Sequence, residues 1–424
     1  MLTPSTFAQS SQRYIQFGPG AVKAVLYFPD EMPAPHIGVL FTHRTSNYLG
    51  RSECTELAAR GYLVLCMNPR SDNNAARTIW ELNAVDVGAG VKFLRQQEGI
   101  ESVLLFGRSG GGGTTSFYQA VAENGLSYCR GPDKIVQCDD RLAGLPPADG
   151  LILVDTSEGL AATAIRRLNG AVINDAAVMA NNELPEIDPA LDPFSPGNGY
   201  DPDGVVTYSE EFKSRYFVAQ SRRMNGLINL ALSRLELIEN EAIPYPDDDF
   251  FVIPMAEDAD LMLMDSSGLP STQQRQKLLR NDGTIAHQVV DSMRIPETEN
   301  HLKNSTFNDG SLLLTLRSFL STYAIRSNDS MKDVDHCSTN NSTTCAIQNI
   351  SAPLVLFGMQ AGNPPRINEM HFELAKSDDK DLVYIEGAMH RMHPCVPCEA
   401  FPGQFSNTSD NFYDYLTDWI GDRF

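Results

Sequence analysis

The stretch VLLFGRSGGGGTTSFYQAVAENG, residues 103–125, passes from an apolar run through a cluster of small residues into a helical pattern. A chain that turns so abruptly must bring strand and helix into close approach. Gly107 and Gly111, two residues on either side of Ser109, allow that approach without Cβ clashes. Gly107-Arg108-Ser109-Gly110-Gly111 has the form Gly-x-Ser-x-Gly, and its place between an expected strand and an expected helix is the context in which that motif is expected to form an elbow that presents a nucleophile. Such a turn points the serine hydroxyl out from the carboxyl edge of a sheet. The amide of Gly110 then opens the helix with its N–H unpaired, where it suits an oxyanion. The stretch lacks the Gly-Lys-Ser/Thr ending of a phosphate loop and the Gly-x-Gly-x-x-Gly spacing of a dinucleotide site.

The flanking pattern predicts the sheet into which this turn is built. Residues 21–28 and 37–42 read as strands, and the second is nearly continuous in apolar residues, as a strand covered on both faces would be. A helical pattern from 52, Gly61 and a further apolar strand follow. Residues 86–100 repeat the helix-then-glycine pattern before the strand that ends at the elbow, and 150–155 reads as the strand after it. This alternation predicts an α/β fold, a mostly parallel sheet with helices on both faces. Beyond Asp155 it stops until 352–358 and 382–387 resume it. Between them, Phe212, Tyr216, Met224, Leu227, Ile228, Ala231, Leu235 and Ile238 form a helical stripe, with Thr207 and Glu210 as an expected capping box. Residues 182–206 and 326–349 read as loops.

With a formal charge of -21, the chain is not expected to bind nucleic acid or an anionic membrane surface. A small-molecule partner fits better, and the sequence is silent on oligomeric state. The N-terminal residues lack the basic and apolar regions of an export signal, and no apolar run is long enough to span a bilayer, so a cytoplasmic location is expected. Cysteine placement pulls the other way. Cys129 and Cys138, Cys337 and Cys345, and Cys395 and Cys398 are near neighbours that could close local loops, whereas Cys54 and Cys66 read as small core residues. Sequons at Asn304, Asn328, Asn340, Asn341, Asn349 and Asn407 matter only if the chain is secreted.

Segments in order resemble the α/β-hydrolase superfamily over roughly residues 20–160 and 350–424. VLFTHRTSNYLG stands where that family has the loop that donates the second oxyanion amide, GRSGG matches the elbow, and LVYIEGAMH ends in His390, where the family keeps its catalytic histidine. The resemblance implies a Ser-His-acid hydrolase: Ser109 as nucleophile, His390 as base, and the amides of Arg44 and Gly110 as oxyanion donors. His43 is expected to face structure or substrate. The segment after PLVLFG departs from the family, because MQAGNPP offers no carboxylate. Asp155 is the first choice for the acid and Glu369 the next, with Glu158 and Glu386 behind them.

These readings divide the chain into a first core part at 1–158 carrying the elbow, an inserted cap of mainly helical character at 159–350, and a second core part at 351–424 carrying His390. Apolar residues of the cap, Phe212, Tyr216 and Phe217, are expected to line a pocket for a fairly bulky hydrophobic ester or lactone. The alternatives are a non-hydrolytic member of the same fold, a lyase, cyclase or binding protein, and an amide or carbon–carbon bond hydrolase with the same triad. No cofactor is called for. HRMHPCVPC matches no usual zinc spacing, so a local disulfide or buried thiols is the expectation there, and no metal site.

Overall fold

The computed structural model describes all residues except 1–9, 18–21, 30–33, 73, 182, 202–204, 245–246, 258, 266–270 and 296–309. The sequon at Asn304 and the first nine residues of the N-terminal stretch therefore lie outside the described residues.

The strands before the insertion are β1 (Ser10–Phe17), β2 (Val22–Pro29), β3 (Ile37–Thr42), β4 (Leu63–Asn68), β5 (Ser102–Arg108) and β6 (Gly150–Val154). Within residues 159–350 come β7 (Phe250–Ile253), β8 (Gln276–Leu279), β9 (Ile285–Gln288), β10 (Leu312–Thr315), β11 (Arg326–Asp329) and β12 (Asp333–Asp335). β13 (Leu354–Ala361) and β14 (Lys380–Met389) close the set. Ten of them form one sheet in the order β1-β2-β4-β3-β5-β6-β13-β14-β8-β9. From β4 to β8 every pairing is parallel, and antiparallel strands finish both edges.

Side chains alternate across this sheet and so supply two cores. Leu40, Leu105 and Leu151 face one side and pack with Trp80, Val87, Val91, Phe117 and Val121 from helices 80–95 and 110–124. Val39, Phe41, Phe106 and Ile152 face the other, against Leu57 and Ala58 of helix 52–59 and Phe412, Leu416 and Trp419 of helix 408–421. Burial on both faces explains why these strands read as continuous apolar runs.

The insertion differs from its expected form. β8 and β9 join the edge of the main sheet, so residues 276–288 belong to the sheet and not to a cap. Much of the remainder packs around the 30-residue helix Glu210–Glu239, whose Met224, Leu227, Ile228 and Ala231 meet Ile165, Phe251 and Phe319. That helix is capped by Ser209, whose hydroxyl accepts the Phe212 N–H at 3.2 Å, two residues later than the expected Thr207 cap. Residues 326–349, expected as a loop, hold the β11–β12 ladder, a short helix and a run of buried polar side chains beside the elbow helix.

All eight cysteines are paired: Cys54–Cys66, Cys129–Cys138, Cys337–Cys345 and Cys395–Cys398. Cys54 and Cys66, read separately as core residues, face each other because helix 52–59 lies on β4. Asn340 and Asn341 are buried, their amides donating to Glu81 and to the Thr322 carbonyl, so these two sequons are closed in the folded chain. Among the described residues no helix is long and apolar enough to cross a membrane.

Candidate active site

Ser109 follows β5 with φ 55° and ψ −129°, a backbone conformation a non-glycine residue adopts only under constraint. The constraint is the close packing around it. A Cβ on Gly111 would lie 2.4 Å from the Thr42 carbonyl oxygen, so only glycine lets the elbow helix Gly110–Asn124 start against β3. The Ser109 N–H is tied to the Val154 carbonyl of β6 at 3.1 Å. Ser109 and Gly110 line a cleft of about 710 Å³ together with His43, Arg44 and His390.

Asp155 follows β6 with φ 45° and is fully buried. Its Oδ2 meets His390 Nδ1 at 2.5 Å. The Asn363 N–H donates to both carboxylate oxygens, at 3.2 and 3.0 Å, the Met359 N–H reaches Oδ1 at 3.4 Å, and the Asn363 side-chain amide donates to the Asp155 carbonyl at 2.7 Å. The loop MQAGNPP thus holds a carboxylate that comes from another strand. A Cβ at Gly362 would fall 2.2 Å from Asp155 Oδ2, so the glycine makes the space the acid occupies. Asn363 was not singled out from sequence; its signal was the loop whose missing acid is noted above.

Glu369, the second choice for the acid, is buried elsewhere. Its carboxylate accepts from the N–H groups of Gln273 and Gln274 and from the side chains of Gln276 and Arg366, all at 2.7–2.9 Å. It anchors the chain entering β8. Glu158 pairs with Arg166, and Glu386 accepts from the Asn281 N–H.

His43 is buried and stacked on Tyr48 at 5.1 Å. Burial, reinforced by Arg44, Arg108 and Arg51, pushes its pKa down to about 3, so the ring is neutral. Nδ1 accepts the Ser46 N–H at 3.2 Å and the Thr45 N–H at 3.4 Å, which shapes the turn carrying Arg44 and leaves the ring proton on Nε2. Below the elbow, Arg108 and Glu53 form a buried ion pair at 2.8 Å that ties β5 to helix 52–59.

The cleft wall contradicts one expectation. Phe212, Tyr216 and Phe217 do not line it; they pack with Val206, Tyr208, Leu261 and Met264 inside the insertion. The stripe needs a partner, but that partner is the rest of the insertion and not the substrate space. The insertion's wall comes instead from Leu160, Met262, Leu263 and Met331, with Arg166, Arg167 and Arg294 among them. His390 is presented by a loop in which Cys395, itself at the cleft, is bonded to Cys398 and donates its N–H to the Gly387 carbonyl. Those two sulfurs are disulfide sulfurs, and among the described residues no cluster of three His, Cys, Asp or Glu could hold a metal ion.

No family model and no curated protein matches the sequence. Solved structures similar to it include the α/β hydrolase GrgF from Penicillium sp. sh18, at 10% identity and TM-score 0.43, covering 98% of this chain and 99% of that one. Brefeldin A esterase, a bacterial homologue of human hormone sensitive lipase, is 12% identical at TM-score 0.40, over 100% and 81%. Est1E from Butyrivibrio proteoclasticus is 10% identical at TM-score 0.37, over 97% and 99%. The fold of this chain rests on its own topology: a mostly parallel sheet covered on both faces, an elbow after β5 and a histidine after β14, which is the α/β-hydrolase fold.

Proposed function

We propose that the protein is a serine hydrolase that cleaves a carboxylic ester or lactone of a fairly bulky small molecule through an acyl-enzyme. The observation that carries this reading is the Asp155–His390 contact at the cleft into which the strained Ser109 also faces. In the reading, His390 accepts the Ser109 proton at Nε2 while Oγ bonds to the carbonyl carbon. The carbonyl π pair moves onto oxygen, where the amides of Arg44 and Gly110 hold it. As that pair returns, the alkoxide leaves and takes the proton from His390. A water molecule then repeats both steps and releases the acid, regenerating Ser109. Asp155 keeps the Nδ1 proton of His390 in place throughout, so that Nε2 is free to act as base.

Apolar bulk in the substrate is supported by Leu160, Met262, Leu263, Met331, Ile367 and Met370 in the cleft wall, in place of the aromatic residues expected from sequence. The four disulfides support work in an oxidising compartment, in place of the cytoplasm. The test is covalent labelling by a fluorophosphonate, with Ser109 identified as the modified residue. Absence of labelling, while the folded protein still binds ligand, would favour the non-hydrolytic alternative.

A further inference from the structure

We infer that the Arg44 side chain anchors a carboxylate on the substrate, so that the preferred ester is one carrying a monoanionic group close to its scissile bond. The inference rests on the ester-hydrolase reading above and narrows its substrate class. Guanidinium keeps its charge under all working conditions. Arg44 is half-buried and lines the cleft, and among the described residues no carboxylate pairs with it and its Nη1 has no hydrogen-bond partner.

The other arginines of the cleft are compensated. Arg166 pairs with Glu158, Arg167 lies 3.9 Å from Glu257, and Arg366 holds Glu369 and Glu373 at 2.7 and 2.8 Å. Arg294 lies in the field of Asp155 and Asp260. A chain of net charge -21 has carboxylates to spare, yet none is placed on Arg44. The accessible part of this half-buried guanidinium is left without an anionic partner in the cleft, and a ligand carboxylate that supplies one gains a charge-assisted pair on binding.

Position sets where on the substrate the anion must be. Arg44 Nε lies 3.6 Å from the point a Cβ on Gly110 would occupy, so the guanidinium rests against the elbow itself. An acid held there is a few bonds from a carbonyl carbon at Ser109 Oγ. Among the described arginines of the cleft lining, Arg44 alone is without a nearby carboxylate, so it matches one negative charge, and the planar fork of guanidinium matches the two oxygens of a carboxylate.

The experiment compares p-nitrophenyl hemiglutarate with p-nitrophenyl valerate, and 4-carboxyphenyl valerate with phenyl valerate, so that the anion is tried on the acyl and on the alcohol side. Wild-type kcat/KM should favour one anionic ester over its neutral mate by about 10- to 100-fold, mostly through KM, the range one charge-assisted contact supplies. In Arg44→Gln that ratio should fall toward one. Arg44→Lys should keep part of it, because the charge remains and the fork is lost. A wild-type ratio at or below one for both pairs overturns the inference. So does an Arg44→Gln variant that lowers kcat equally on all four esters, which would make the side chain an oxyanion donor.

Binding to Ser109→Ala separates this from failure of the hydrolase reading. That variant should bind the preferred anionic ester at least about tenfold more tightly than its neutral mate, and adding Arg44→Gln should abolish the difference, whether or not the wild type turns the esters over. Equal binding of both would refute the anchor. Thermal melting guards against a structural effect: Arg44→Gln should melt no lower than wild type, since it removes an unmet charge, and a lower melting temperature would mark Arg44 as structural.

Discussion

Asp155→Asn is the substitution whose outcome the geometry dictates most tightly. The new side chain keeps one acceptor oxygen and gains an NH2 donor, so its orientation is decided by what surrounds the two carboxylate oxygens. Oδ1 faces N–H groups from Met359 and Asn363, while Oδ2 faces His390 as well as Asn363. The Asn363 amide faces either position, so Met359 decides: an NH2 at the Oδ1 position would set a second donor against the Met359 amide, whereas at the Oδ2 position its other neighbour, His390 Nδ1, can accept. The amide oxygen therefore takes that side, and the NH2 donates to His390 Nδ1. His390 is then left with its proton on Nε2, and the group that should accept the Ser109 proton already carries one. Carboxylate-to-amide changes of this kind cost about 10⁴ in kcat, which is about 5.5 kcal/mol at 1.36 kcal/mol per decade. Asparagine tolerates the φ of 45° at this position, so the fold should survive. The assay is ester turnover together with fluorophosphonate labelling rate, with circular dichroism as the folding control. Both rates should fall together. A loss below about tenfold, far short of the triad range, would refute Asp155 as the acid. Glu369→Gln should act the other way, lowering stability through Gln273, Gln274 and Arg366 while leaving the labelling rate of the folded fraction in place.

Acid should destabilise the protein through His371, which is fully buried against Thr344 Oγ1 at 3.1 Å and has its pKa pushed down to about 4 by that burial. Its folded pKa lies below the value of about 6.5 in the unfolded chain, so the unfolded state takes up the proton first as pH falls; stability is intact above about 6.5 and drops between about 6.5 and 4, by about 3 kcal/mol in all. Denaturant titrations at several pH values should show this slope added to the one that buried His43 contributes in the same direction, and His371→Gln should remove only its own part; an unchanged slope would exclude His371 as a source. Phe212 stacks between Tyr208 and Tyr216 at 5.4 and 5.6 Å, so Phe212→Ala should cost about 3–5 kcal/mol of stability without altering the preference between short and bulky esters. A changed preference would return that residue to the substrate space. Replacing Cys54 and Cys66 together by alanine should cost about 3 kcal/mol, the loop entropy of a cross-link closing 12 residues, read as a lower denaturation midpoint.

What the sequence discloses about this molecule follows the range of the interactions involved. The elbow is local: Ser109, its flanking glycines and the helix after it are contiguous, so spacing alone locates them, and the parallel strands announce themselves because burial on both faces requires unbroken apolar runs. His390 is found by its place after the last strand of the resemblance. The proposed acid is harder to find, because its contacts lie in residues about two hundred positions away: the Asp155 carboxylate meets His390 Nδ1 and the Asn363 amide, which the pairing of β6 with β13 and of β13 with β14 brings together. Hence a loop without a carboxylate, read alone, counts against a triad, whereas in space Gly362 and Asn363 form the seat for one. The same limit governs the insertion. A helical stripe shows that Phe212 and Tyr216 must be covered and is silent about whether protein or substrate covers them; Tyr208, Leu261 and Met264 do. Short strands such as β8, four residues long with its first two residues half-buried and its last two buried, carry too little periodicity to be told from loop. Arg44 presents the converse case. Its place in the loop after β3 draws attention to its backbone amide, but its side chain acquires meaning only when the other arginines lining the cleft are found beside carboxylates and, among the described residues, its own Nη1 is found without a partner.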